Sequence, residues 1–105
     1  MAAKHFNITL GAAAVRLSDA YGGAAGANPD PALDIPYRQL LFSAGGADAF
    51  IGDDAQVTGT DYGMAVDSTA LGPASIGPFE TGPIKLSQLW AAGAGSTLHV
   101  LGIPF

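Results

Sequence analysis

Ala47-Asp48-Ala49-Phe50-Ile51-Gly52 opens a stretch that runs to Phe105 and decides how this 105-residue chain is read. It continues through Val57-Thr58, Tyr62-Gly63-Met64-Ala65-Val66 and Gly77-Pro78-Phe79, then Pro83-Ile84-Lys85-Leu86-Ser87-Gln88-Leu89-Trp90. It closes with Thr97-Leu98-His99-Val100-Leu101-Gly102-Ile103. Short apolar segments alternate with Gly, Pro, Asp and Thr about every eight to twelve residues, the rhythm of a small all-β sandwich or barrel. The expected fold is an antiparallel β-sandwich or jelly-roll-like barrel with a long Gly/Pro-rich N-terminal loop and one short helical turn. Nothing in the stretch has the pattern of a catalytic apparatus.

Just upstream, residues 35–44 are the most strand-like decade. Ile35, Tyr37 and Leu41 share one parity and Arg38, Leu40 and Phe42 the other. Both faces are then partly apolar, as in a strand lying between two layers. Gly45-Gly46 reads as a tight turn leading into residues 48–51 as a hairpin partner. Residues 56–58, 62–66, 76–79 and 83–86 read as further short strands. Ser87 is placed as the cap of one helical turn over Leu89 and Trp90, before the final strand at 97–103.

The N-terminal third is less regular. Phe6-Asn7-Ile8-Thr9-Leu10 alternates apolar and polar residues, as a half-buried strand does. Residues 12–18 fit a second strand, with a helix over 12–20 as the alternative. Residues 1–15 have a basic start and a short apolar run, but Asn7, Thr9 and Gly11 break it, so a first strand is expected there rather than an export signal. Residues 19–34 carry Gly22, Gly23, Gly26 and Asn28-Pro29-Asp30-Pro31. They read as a long loop or assembly arm of a single domain spanning 1–105.

Composition bounds the function. Charged residues are 12% of the chain, where about 25% is usual, and hydrophobic residues are 49%. A surface so poor in charge is expected to face other protein chains, in a homo-oligomer (trimer or dimer) or a larger assembly. The net charge is −5, and Lys4, Arg16, Arg38 and Lys85 form no cluster, which argues against nucleic acid as a partner. No apolar run reaches the roughly 18–20 residues of a membrane helix, and no membrane partner is expected. There is no cysteine, so neither disulfides nor a Cys-based zinc site supplements the core.

The order Phe50-Ile51-Gly52, Val57-Thr58, Tyr62-Gly63, an apolar-Pro-Phe segment, Leu86-Ser87-Gln88-Leu89-Trp90 and a Gly turn into Leu98–Leu101 resembles the small β-sandwich proteins of tailed-phage virions. These include capsid decoration (cement) proteins and head- or tail-associated proteins, and the resemblance spans residues 38–103. It implies a structural role in the virion, made in the host cytoplasm, with the major capsid protein or other virion proteins as partners, and with no catalysis and no cofactor. A tail or head–tail adaptor and a carbohydrate-binding host-attachment module are the alternatives. Candidate assembly-interface residues are Phe6, Tyr21, Pro29, Pro31, Tyr37, Trp90 and Phe105.

Other constellations carry less. Asp53-Asp54 with Asp61 lacks the alternating oxygen spacing and terminal acid of a calcium loop, and reads as a solvated turn. Gly22, Gly23 and Gly26 lack the Lys-Ser/Thr pair of a phosphate loop. His5 and His99, far apart in sequence, show no nucleophile motif around them; His99 is expected in a packed strand or a subunit contact. Trp90, Tyr62, Tyr37 and Phe79 offer an aromatic sugar platform, but core or interface packing explains the same residues. No catalytic, cofactor or metal site is assigned.

Overall fold

A computed structural model describes residues 3–20, 35–69, 72–78 and 83–105. Eight strands run in chain order: β1 (Lys4–Thr9), β2 (Val15–Arg16), β3 (Tyr37–Gly45), β4 (Ala49–Gly52), β5 (Met64–Val66), β6 (Ala74–Ile76), β7 (Trp90–Ala92) and β8 (Thr97–Pro104). Helical structure among the described residues is one turn, α1 (Leu17–Ala20), and one 3-10 turn, η1 (Leu86–Gln88). The strands form two antiparallel four-stranded sheets, β1-β8-β3-β6 and β2-β7-β4-β5. The chain is all-β, and this order of eight strands in two sheets is that of a jelly roll.

The order has a simple origin. β1 pairs with β8, β2 with β7, β3 with β6 and β4 with β5, so the chain is one long antiparallel ribbon rolled on itself. The roll is closed by β3 pairing with β8 and β4 with β7. Among the described residues, only β4 and β5 are successive strands of the same sheet.

Gly45-Gly46 is therefore not the hairpin turn that the sequence suggested. It carries the chain from β3 in the first sheet across to β4 in the second. Gly46 has φ +85°, and a Cβ on it would lie 2.7 Å from the Gly95 carbonyl oxygen. Gly is thus needed both for its backbone angle and for the close approach of two crossovers. The crossover after β1 joins them: Leu10 N–H donates to Ser96 O (2.9 Å), and Gly93 N–H to Gly11 O (2.9 Å).

β3 differs from its expected two-faced pattern. A bulge between Tyr37 and Gln39 shifts its register against β8. The extra residue turns Tyr37 to the same side as Leu40 and Phe42, and all three side chains are fully buried. They meet Phe6, Ile8, Leu98 and Val100 of the same sheet and Ala49, Ile51, Val66 and Ala91 of the other in one core cluster. Two sheets packed face to face bury alternate residues of every strand in this way.

Smaller differences have local causes. Residues 56–58 form no strand; Thr58 and Asp61 close a turn by mutual backbone bonds, with Thr58 Oγ1 accepting from the N–H groups of Thr60 and Asp61. The strand expected at 76–79 begins earlier, as β6, and that at 83–86 is reduced to one bridge between Ile84 and Tyr37. Ser87 lies inside η1 rather than capping it; Gln88 Oε1 accepts from the Lys85 N–H at 2.8 Å and ties the turn back to its start. Trp90 already belongs to β7. Residues 12–20 divide between the two readings, as β2 and α1. The 21–34 part of the expected long loop lies outside the described residues.

Gly102 faces the core from β8, and a Cβ there would come within 3.0 Å of three ring carbons of Tyr37. Gly102→Ala should lower stability in urea denaturation by about 1–3 kcal/mol, because the buried ring must shift. Gly72→Ala, where a Cβ meets nothing within 4 Å, should change it by less than about 1 kcal/mol.

Candidate functional site

The two sheets leave two outer faces of different chemistry. On the β1-β8-β3-β6 sheet the register sets out rows of side chains. His5, Leu101, Leu41 and Ser75 form one row; Asn7, His99 and Ser43 the next; Thr9, Thr97 and Gly45 a third. Ile103 and Gln39 add a fourth, shorter row. These rows contain no Asp, Glu, Lys or Arg; Arg38, in the bulge of β3, stands exposed at their end, its guanidinium over the Phe105 ring.

This face holds a shallow groove of about 400 Å³, lined mainly by His5, Asn7, Leu41, Pro73, His99 and Leu101. His99 Nδ1 donates to Asn7 Oδ1 at 2.8 Å, a cross-strand bond that fixes the ring on the sheet surface. Its Nε2 then lies over Gly45, 3.5 Å from where a Cβ would be. Leu101 remains 39% exposed. The two histidines, 94 positions apart in the chain, are thus diagonal neighbours, because β1 and β8 are adjacent. His99 is exposed rather than packed.

The second outer face is partly covered. Val57 of the loop between β4 and β5 lies against Gly52, and Gly59 lies against the Phe50 ring. Val57 and Ala92 are buried there, outside the main core cluster. Tyr62 stacks at a tilt on Phe50, centroids 4.9 Å apart, and is 46% exposed. At the opposite edge the Arg16 guanidinium sits 5.0 Å above the Trp90 ring. The described carboxylates flank this sheet: Asp48 precedes β4, Asp53 and Asp54 follow it, and Asp61 and Asp67 bracket β5.

Two of the candidate interface residues need correction. Phe6 and Tyr37 point into the core, 7% and 0% exposed, and a subunit partner cannot reach them while the sheets stay packed. Trp90 is half-buried under Arg16, and Phe105 is 39% exposed with the Arg38 guanidinium 5.2 Å from its ring. Tyr21, Pro29 and Pro31 lie outside the described residues. Of the four aromatics of the sugar platform, Tyr37 is core, Trp90 has Arg16 over it, Phe79 lies outside the described residues, and Tyr62 is exposed.

Asp53 and Asp54 sit in an exposed turn, where Asp54 Oδ1 accepts from the Gln56 N–H at 2.9 Å. Among the described residues no three His, Cys, Asp or Glu side chains gather as a metal site would need. A second, apolar recess of about 440 Å³ opens between the sheets, with Ile51, Met64, Ile76 and Leu89 in its walls. No helix among the described residues is long and apolar enough to cross a membrane.

Sequence reasoning missed the groove because its residues come from four separated segments. The period-two alternation of β1 and β8 marked which residues share a side, but not that the two strands are neighbours. Comparison with known proteins adds no identification: no family model matches the chain, and neither a curated protein nor a solved structure does.

Two predictions follow from the second face. Trp90 is the chain's single tryptophan and reports on its own cover. Arg16→Gln should raise acrylamide quenching of its fluorescence and lower stability by about 0.5–1 kcal/mol, the worth of an exposed cation–π contact. The second concerns Asp67, whose carboxylate accepts from the Thr69 N–H and Oγ1–H, both at 2.8 Å, bonds that hold its pKa below the ordinary 3.8. Its folded-state value is the lower one, so its contribution to stability is present above the unfolded value and lost as pH falls through the folded one. Carboxyl NMR should place its midpoint below 3.8, and Thr69→Val should move it back up.

Proposed function

We propose that the chain is a non-enzymatic structural subunit of a tailed-phage virion, a decoration (cement) protein that binds the assembled head shell and reinforces it. The observation that carries the reading is an eight-stranded jelly roll on which, among the described residues, the paired rows of one outer sheet face hold no Asp, Glu, Lys or Arg, Arg38 standing at the end of β3 over Phe105. Jelly rolls recur in viral shell proteins, and also in lectins and cupins. Fold alone does not choose among these uses. The resemblance of residues 38–103 to virion β-sandwiches favours the first.

The physical logic of such a subunit is additive weak contact. A decoration protein meets several shell subunits at once, and simultaneous engagement raises avidity although each contact is modest. Self-association into a dimer or trimer repeats the contact set. A neutral, half-apolar surface suits this role, because burying it leaves few charges to desolvate.

A tail or head–tail adaptor would use the same chemistry at a different copy number. The sugar-binding reading is weaker, since Arg16 already occupies a face of Trp90 and Tyr37 is internal.

The test is reconstitution on particles that lack the protein, with copies counted by cryo-electron microscopy and quantitative gels. Hundreds of copies per particle support the shell; a dozen or fewer place it at the neck or tail. Binding to no particle component, or a positive glycan array, overturns the reading. Deleting 20–32, within the 19–34 segment read from sequence as a long loop or assembly arm, should weaken particle binding at least about tenfold by loss of one of several linked contacts. The circular dichroism of the sandwich should be retained.

A further inference from the structure

We infer that the outer face of the β1-β8-β3-β6 sheet is a self-association surface, and that its occupant is a second copy of this chain packed sheet against sheet about a two-fold axis. The inference rests on the reading of the chain as a repeating assembly subunit and names the face by which it repeats.

Three observations select this face and this occupant. The first is charge. A two-fold contact sets the same face against itself, so any net charge on the face is doubled across it. The carboxylates of Asp48, Asp53, Asp54, Asp61 and Asp67 all flank β4 and β5 in the other sheet. Two copies meeting through that sheet would bring like charges together, which costs several kcal/mol. The paired rows of the first sheet bring none, and Arg38, in the bulge of β3, sits at their end with its guanidinium over Phe105.

The second is chemistry that complements itself. Leu41, Leu101 and Ile103 supply apolar surface, and Leu101 is exposed although leucine gains by burial. Around them stand Asn7, Ser43, Ser75, Thr9 and Thr97, each both a donor and an acceptor, so like can bond like across a two-fold axis. The third is size. The molecule measures 33 × 26 × 26 Å, so one face offers about 850 Å² at most, against the roughly 800 Å² per partner of a standard interface. A stable pair needs nearly the whole face, and among the described residues this sheet's outer rows carry no carboxylate, its one exposed cation, Arg38, lying at the end of β3 over Phe105.

The experiment is sedimentation velocity on the purified full chain at concentrations up to about 100 μM, which detects any dimer of ordinary affinity. No shell is present, so its failure is separate from failure to bind particles. The wild type should sediment as a concentration-dependent dimer. Leu101→Glu, and independently Ser43→Glu, should weaken the dimer by on the order of 100-fold, since each buries one carboxylate from each copy in the same contact. Ala65→Glu, an exposed substitution on the other outer face, should change it less than about threefold. Trp90 emission and circular dichroism check that each variant is folded. A wild type that stays monomeric overturns the inference, as does a dimer that survives both Leu101→Glu and Ser43→Glu or is broken by Ala65→Glu instead.

Discussion

The Tyr37 ring lying on Gly102 is the contact on which the sandwich is phased. β3 and β8 form the centre of the first sheet, and eight Cα pairs run along them from Tyr37–Pro104 to Gly45–Thr97. The bulge after Tyr37 adds a residue to β3 and turns the ring inward, where only a residue without a Cβ leaves room for it. Tyr37 is also held from its other side, by backbone bonds of 2.8 and 3.1 Å with Ile84. One residue thus ties β3, β8 and the segment leading to η1. Without the bulge the strand would place either Tyr37 or the pair Leu40 and Phe42 in water. A register slip of one residue exchanges the two faces of a strand, so the whole inner layer depends on this one irregularity.

Given that phase, the rest of the roll is a matter of crossing between layers without leaving backbone unpaired. The crossovers after β1, β3 and β7 converge at one end of the sandwich. They satisfy one another through the bonds of Leu10 to Ser96 and Gly93 to Gly11. Their glycines permit the approach: a side chain on Gly46 or Gly93 would run into the Gly95 or Asp48 carbonyl. A bond from the Ser68 N–H to Asp48 Oδ1, 2.9 Å, fastens the chain leaving β5 to the crossover that enters β4.

How much of this was legible in the sequence follows from which signals are local. The all-β class came from turn residues and short apolar runs, both properties of adjacent positions. β1 and β8 showed their alternation plainly, and Phe6, Ile8, Leu98 and Val100 are buried as that alternation requires. Strand partners are not local, and there the reading erred. Gly45-Gly46 has the composition of a hairpin turn, yet the chain uses it to change sheets, because β3 is better paired with β8 over its full length. The bulge was invisible for the same reason: Arg38 and Gln39 carry no glycine or proline to announce it. Phe6 and Tyr37 looked like interface aromatics only because their neighbours in space were unknown. The groove holding His5 and His99 was hidden by 94 residues of separation, and its hydrogen bond from His99 to Asn7 joins opposite ends of the chain.

The scarcity of charge, which first suggested a protein held by other proteins, takes on a more specific meaning once the charges are placed. They are not thinned evenly. The described carboxylates gather along the β4–β5 side, where they keep one sheet solvated and in mutual repulsion with any copy of itself. Arg16 and Arg38 each lie over an aromatic ring, so part of the small cationic complement covers apolar surface rather than standing free. What is left among the described residues is a four-stranded face whose rows bear leucine, histidine, asparagine, serine and threonine, with Arg38 alone at the end of β3. An even distribution of the same few charges would have put at least one on every face and made each equally poor for close packing. Segregation instead leaves one face suited to water and the other to protein, and the edge strands need not carry that burden. β6 at one margin is three residues long and β2 at another is two. They are too short to template strand addition. The one long margin that remains is β1, six residues, and a copy packed on the flat face instead would close the assembly after a small number of subunits.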